Sequence, residues 1–222
     1  AALRRGYALL QLQNYQAAVQ QFDTAIAGLN RPNANALANR AIAYLLLEEL
    51  DKAKADIASA EAITQSEPIT FHAKGQLAEI EKDDLEAVLA YSSALQLWSE
   101  NTHALYRRSA AYERMGQSAR AIADLERVIS LAPEDASPVF ELAGLHMRLG
   151  NVPAAQTHVK RAAEMTDQSR HEYFLFLHTL QKALDGVRES DPAKAEATLT
   201  AALDVENDVP AIEGDESLDQ AT

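Results

Sequence analysis

Cysteine is absent from the 222 residues, which removes disulfides, thiol nucleophiles and thiolate metal sites together. Aromatic residues are scarce at 6%, and runs of β-branched residues are few, so little here favours strands. Abundant Ala, Leu and Gln favour helix instead. The longest apolar stretches, 41–47 and 173–177, fall far short of the roughly 18 residues that span a bilayer, so no membrane insertion is expected. Positive charge is also lacking: 20 Lys and Arg face 33 Asp and Glu, a net charge of −13. Without a basic cluster the chain lacks the phosphate-binding contribution that dominates nucleic-acid affinity, and no nucleic-acid partner is expected. A soluble protein of the cytoplasm or the periplasm fits this composition. The first residues read as mid-helix, so an upstream stretch, with any signal or anchor it carried, is expected to have been removed.

What the chain does have is an internal period. Ala121 sits in a helix-forming run closed by Pro133, and its surroundings return at Ala18, Ala53, Ala87 and Ala155, steps of 35 and then 34 residues. Four places after each alanine stands a bulky residue, Phe22, Ile57, Tyr91, Leu125 and Val159, and three further on a smaller one, Ala25, Ala60, Ala94, Val128 and Ala162. These positions share one helix face. Twelve residues before each alanine another small residue marks a second helix: Gly6, Ala41, Gly75, Ser109 and Ala143. Gly116 and Gly150 mark the turn between the two, where glycine adopts the left-handed conformation that ends a helix. Each unit is helix, tight turn, helix.

This spacing resembles the tetratricopeptide repeat, most closely where Tyr106, Tyr112, Gly116, Ala121 and Pro133 fall in the family's places. Other repeats depart from it, with Leu9, Ala78 and His146 at the aromatic position and Asn30, Gln65, Ser99 and Asp167 where a closing proline is common. The resemblance implies an all-α, right-handed superhelical solenoid of antiparallel helix pairs. About five repeats over 1–167, the first truncated at its start, are followed by a C-terminal capping helix pair over 168–204 and an acidic tail over 205–222. The period breaks after Asp167: the step from Ala155 to Ala195 is 40. The apolar stripes of the next helix, with Phe174 and Phe176, serve either to cap the core or to associate copies. A monomer, or a weak homo-oligomer through this cap helix, is expected. Seven acidic residues from Asp204 to Asp219 meet no Lys or Arg, the composition of a solvated tail.

Catalytic motifs are missing. Neither glycine-rich phosphate loops nor a nucleophile elbow occurs, and the stretch from His171 to His178 matches the H-E-x-x-H zinc motif only superficially. The paired Asp83 and Asp84 fit a helix cap better than acid–base chemistry. Neither catalysis, a metal nor a cofactor is expected. The family resemblance instead implies a groove on the inward faces of the first helices. By register those positions include Arg4, Tyr7, Asn39, Ile42, His72, Gln76, His103, Tyr106, Arg107, Glu113, Arg114, Phe140, Met147 and Arg148. A related branch clamps the terminal carboxylate of chaperone tails, but here Leu3, Tyr7, Ile69 and Ala73 occupy clamp positions that should be basic or amide, and only Asn39 and Arg107 match.

The function expected is therefore a non-catalytic interaction module for a peptide or protein partner. Arg107, Arg114 and Arg148 beside Tyr106 and Phe140 suit an acidic segment with interspersed hydrophobic residues. Two alternatives stand beside it: a structural or oligomerisation scaffold using terminal or convex surfaces, and the regulatory domain of a larger enzyme or of a transport or assembly protein. If Ala121 is small because helices cross there, Ala121→Leu overpacks the contact by about 1–3 kcal/mol and lowers the thermal unfolding midpoint, whereas Gln117→Leu in the turn does not. Equal effects would overturn the register.

Overall fold

The computed structural model describes residues 1–28 and 33–165. It contains ten helices among those residues: α1 (Ala2–Gln11), α2 (Tyr15–Ala27), α3 (Ala34–Leu46), α4 (Leu50–Ile63), α5 (Pro68–Glu81), α6 (Asp84–Leu97), α7 (Thr102–Arg114), α8 (Ser118–Leu131), α9 (Ser137–Arg148) and α10 (Val152–Met165). They form five pairs, each joined by a tight turn; the four pairs from α1 to α8 pack in sequence as an all-α solenoid, and α9 packs with α10 as the fifth pair. The chain divides into two compact units, Ala1–Leu131 and Ala132–Thr222. This division falls inside the stretch 1–167 that the repeat period joins, and the proposed capping pair and acidic tail lie outside the described residues.

One hydrogen-bond pattern closes every first helix. The N–H groups of Asn14, Glu49, Asp83, Gln117 and Asn151 each bond the carbonyl five residues earlier, at Leu9, Tyr44, Ala78, Tyr112 and His146, over 2.8–2.9 Å. The residue before each, Gln13, Glu48, Lys82, Gly116 and Gly150, has φ between 58° and 73°. This left-handed closure satisfies carbonyls that the helix end would otherwise strand. Only two of the five turns use glycine. At Gln13, Glu48 and Lys82 the repeat imposes the conformation on residues that adopt it reluctantly, so the sequence pattern did not mark them. Two of the second helices, α2 and α6, start on side-chain caps: Asn14 Oδ1 accepts from the Ala17 N–H and Asp83 Oδ1 from the Glu86 N–H. Gln117, expected in an exposed turn, is half-buried and accepts from Arg120.

In the first unit, apolar residues of neighbouring pairs pack together in successive clusters. Ala41, Leu45, Ala53 and Ile57 from the second pair meet Ala73 and Leu77 from the third. Ala78, Ala87 and Tyr91 from the third meet Ala104, Leu105, Ala111 and Val128 from the fourth. Ala18, Ala53, Ala87, Ala121 and Ala155 are all fully buried, as close helix crossings require. No pair could bury its apolar face alone; stacking does it.

Two devices reinforce this core in alternate pairs. In the first and third, a ring of the second helix lies on a glycine of the first: a Cβ on Gly6 would sit 2.5 Å from Phe22, and one on Gly75 2.5 Å from Tyr91. In the second and fourth, a half-buried arginine grips a buried aspartate two-pronged. Arg40 donates to both Asp56 oxygens at 2.7 Å and Arg108 to both Asp124 oxygens at 2.7 and 2.8 Å. Each guanidinium lies over a tyrosine, Tyr44 or Tyr112. Asp56 and Asp124 are each only 6% exposed, so losing the arginine would strand a buried charge at a cost of about 3–5 kcal/mol.

Gly75→Ala should destabilise the protein by about 1–3 kcal/mol through the clash with Tyr91. In a Tyr91→Ile background, which copies the Ala41–Ile57 arrangement of the second pair, the same change should be neutral or slightly stabilising, since alanine is the better helix former. Urea unfolding of the four proteins reads this coupling, and an equal cost in both backgrounds would contradict it.

Candidate functional site

The first helices of the first unit present the side chains that line its cavities. One cavity, of about 350 Å³, takes Tyr7, Leu10 and Gln11 from α1, Asn39, Ile42 and Leu46 from α3, Ile69, His72 and Gln76 from α5, and Thr102 and His103 from α7. Trp98 and Asn101, from the turn between α6 and α7, complete it. An adjoining cavity of about 440 Å³ shares Tyr7, Asn39, Ile69, Trp98 and Asn101 and adds Leu3, Arg4, Asn35, Glu67 and Pro68. Six of the expected groove residues, Tyr7, Asn39, Ile42, His72, Gln76 and His103, thus meet in one concavity.

Amides in this groove are held by neighbouring protein groups. Asn39 Nδ2 donates to the Asn35 carbonyl at 2.8 Å and to Asn35 Oδ1 at 3.0 Å, while Asn35 Nδ2 donates to Glu67 at 3.3 Å. Asn101 caps α7 by accepting from the Ala104 N–H. On the floor the His72 ring meets His103 edge-on at 4.5 Å and Tyr91 at 5.6 Å. His72 is 7% exposed, its Nε2 sits 3.0 Å from the Gln76 amide, and its Nδ1 is buried with no partner among the described residues. Burial above all, with His103 and Arg107 nearby, pushes the His72 pKa down to about 3. That of His103, although the residue is exposed, is lowered as well, by the water its ring loses against His72 and then by Arg107. Both rings are neutral near pH 7, and their contribution to the groove is polar and aromatic rather than charged.

Tyr106, Arg107 and Arg114 line a third cavity of about 490 Å³ with Glu79, Lys82, Asp84 and Ala110. The two arginines already have carboxylate partners here. Arg107 reaches Glu79 at 3.3 Å; Arg114 reaches Asp84 at 2.6 Å and Glu79 at 3.7 Å. Glu79 is mostly buried. Beside it the enclosed Tyr91 phenol is pushed well above its ordinary pKa by burial and then by the Glu79 charge. These partners, Glu79 and Asp84, belong to the preceding pair, whereas spacing in the sequence suggests the nearby Glu113 and Glu141. Phe140 and Met147, half-buried, and exposed Arg148 all stand on α9, in the second unit.

Sequence reasoning missed Trp98, Asn35, Glu67 and Asn101. Trp98 follows α6, just before the position of the family's closing proline, so the repeat pattern passed over it; its being the only tryptophan was the available signal. Leu3 and Ile69, noted only as failures of a carboxylate clamp, prove to be cavity walls beside Tyr7, which the register placed in the groove. Among the described residues no three His, Asp or Glu side chains group as metal ligands, and no described helix is long and apolar enough to cross a membrane. His171 and His178, and the cap helix around Phe174 and Phe176, lie outside the described residues.

Stacked helix pairs with a cavity-lined inner face define a helical-repeat module for protein interaction. Tetratricopeptide repeat models match residues 3–68 and 114–175, and the chain belongs to the tetratricopeptide repeat superfamily. Among solved structures it resembles MamA, at 16% identity and a TM-score of 0.62 over 75% of this chain and 96% of that one. A thermophilic repeat protein of Thermus thermophilus is similar at 20% identity and a TM-score of 0.64, covering 78% and 95%. YrrB, described as having an unusual peptide-binding site, is similar at 17% and 0.60, covering 81% and 91%. No curated protein matches in sequence.

The buried neutral His72 ties stability to pH. Its folded pKa lies below the unfolded value of 6.5, so the unfolded chain binds more protons as pH falls below that value, and stability present above it is lost progressively on acidification. His72→Leu should remove this component: between about pH 7 and pH 5 its unfolding free energy should fall less than that of the wild type. Denaturant titrations at the two pH values measure it, and parallel losses would show His72 to be accessible to protons in the folded state.

Proposed function

We propose that the protein binds an extended segment of a partner protein along the inner faces of α1, α3, α5 and α7. The observation that carries this reading is the run of shared lining, in which Tyr7, Asn39, Ile69, Trp98 and Asn101 belong to two adjoining cavities. Side chains from several successive repeats thus address one ligand, an arrangement suited to a chain laid along the groove. YrrB's peptide-binding site lends support by likeness of fold. Apolar side chains of the ligand would enter beside Ile42, Leu46 and Ile69, and the amides would meet its backbone. Acidic ligand residues remain part of the proposal only at the Arg107 and Arg114 end, where they would compete with Glu79 and Asp84. The groove acts by binding and needs no catalytic group.

A scaffold reading has one observation in its favour. Leu85 and Leu89, one turn apart on α6, are 58% and 53% exposed and line none of the three cavities.

Selection from a displayed random-peptide library tests the groove. Leu46 is exposed on the cavity wall, so Leu46→Glu should leave the unfolding midpoint near wild type while weakening the selected peptides by about tenfold or more. Peptides that bind the variant and the wild type equally would move the site elsewhere, and Leu85→Glu with Leu89→Glu is then the variant to compare.

A further inference from the structure

The Tyr7 and Trp98 end of the groove has a chemistry of its own. Trp98 is held by its backbone: its N–H bonds the Ala94 carbonyl at 2.9 Å, and its carbonyl accepts the Asn101 N–H at 3.2 Å. The side chain is nevertheless 56% exposed, and Tyr7 is 55% exposed. Two large rings on fixed backbone line one cavity without covering each other, with Leu3, Pro68 and Ile69 beside them. Such flat apolar faces, ready-placed and left in water, favour a ligand that packs against them.

Charge narrows the class of ligand. The ionised side chains on the walls of the two adjoining cavities are Arg4 and Glu67, one of each sign, while His72 and His103 have lowered pKa values and stay neutral. This end therefore attracts neither an acidic nor a basic segment. Hydrogen-bonding groups narrow it further. Asn101 Oδ1 is taken by the Ala104 N–H, which leaves its Nδ2 hydrogens to donate; the Trp98 indole can only donate, and the Tyr7 hydroxyl adds another donor. These donors call for a backbone rich in free carbonyls and short of N–H groups. The polyproline II helix is such a backbone: it makes no internal hydrogen bonds, its carbonyls face outward, and proline lacks the N–H. Its pyrrolidine rings pack on aromatic faces, and its stiffness lowers the entropy lost on binding.

We propose that the Tyr7 and Trp98 end of the groove binds an uncharged, proline-rich segment in the polyproline II conformation, a specificity that rests on the peptide-binding reading above. Proline rings stack on Trp98 and Tyr7, and ligand carbonyls accept from Trp98 Nε1, Asn101 Nδ2 and the Tyr7 hydroxyl.

Because Trp98 is the only tryptophan, its emission reports on this site in the full chain. Titration with a capped peptide of repeated Pro-Pro-Leu should give a saturable blue shift. Tyr7→Ala should weaken the binding about tenfold, and so should Asn101→Asp, which keeps the helix cap but replaces the donor by an acceptor. Both variants should unfold near the wild-type temperature. Trp98→Ala, followed by calorimetry, should abolish the heat of binding. A matched capped peptide of Glu and Leu serves as the second arm. Saturable binding of that peptide alone would overturn the proline assignment and leave the peptide groove standing. Binding of the proline peptide that ignores Tyr7→Ala and Asn101→Asp would overturn the site. Silence with both peptides would overturn the proline proposal and the peptide-binding reading together.

Discussion

Within each helix pair the second helix lays one large side chain against the backbone of the first, and the distance between the helices follows from what that side chain meets. Where the side chain is a ring, Phe22 or Tyr91, it meets Gly6 or Gly75; Ile57 packs with Ala41, and the repeat register matches Leu125 with Ser109 and Val159 with Ala143. Volume is conserved across the contact, as a close-packed interior demands. The remaining architecture depends on it. With the pair held at its spacing, the turn between its helices admits only the left-handed closure seen at all five positions, and the buried alanines can admit the next pair.

The groove follows from the same constraint. First helices stand side by side because second helices hold them there, so residues spaced by the repeat, such as Ile42 and Gln76, come to line one cavity. Rigid elements thus position Asn39, His72 and Gln76, while the least regular contributors, Trp98 and Asn101, come from a turn fixed by the Asn101 cap. The arginine end is tied differently. Glu79 reaches from the third pair to Arg107 and Arg114 of the fourth, so charges that face the groove also join two repeats.

The fold was legible because it is written in residue size at a fixed period. Ala121 and its counterparts, and the small residues facing them, each carry their reason locally. Four things were not legible. Left-handed turns at Gln13, Glu48 and Lys82 lack the glycine that announces such a turn, since the surrounding repeat enforces it. The Arg40–Asp56 and Arg108–Asp124 grips join residues on opposite sides of a turn, where spacing within a helix is no guide. The partners of Arg107 and Arg114 lie in the preceding repeat, and only packing brings Glu79 and Asp84 within reach. Trp98 escaped for the opposite reason: it belongs to no repeated position.

The two reinforcing devices alternate along the first unit: ring on glycine in the first and third pairs, arginine on aspartate in the second and fourth. At the corresponding places the fifth pair, in the second unit, has Leu142, His146 and His158, with the two imidazoles stacked parallel at 5.4 Å. The natural building block of the first unit is thus a pair of pairs, and its internal symmetry is that of a doubled tile. Copying or excising one helix pair would set like beside like and break the alternation. Gain or loss of two would preserve it, so the length of such an array changes most smoothly in steps of a whole tile.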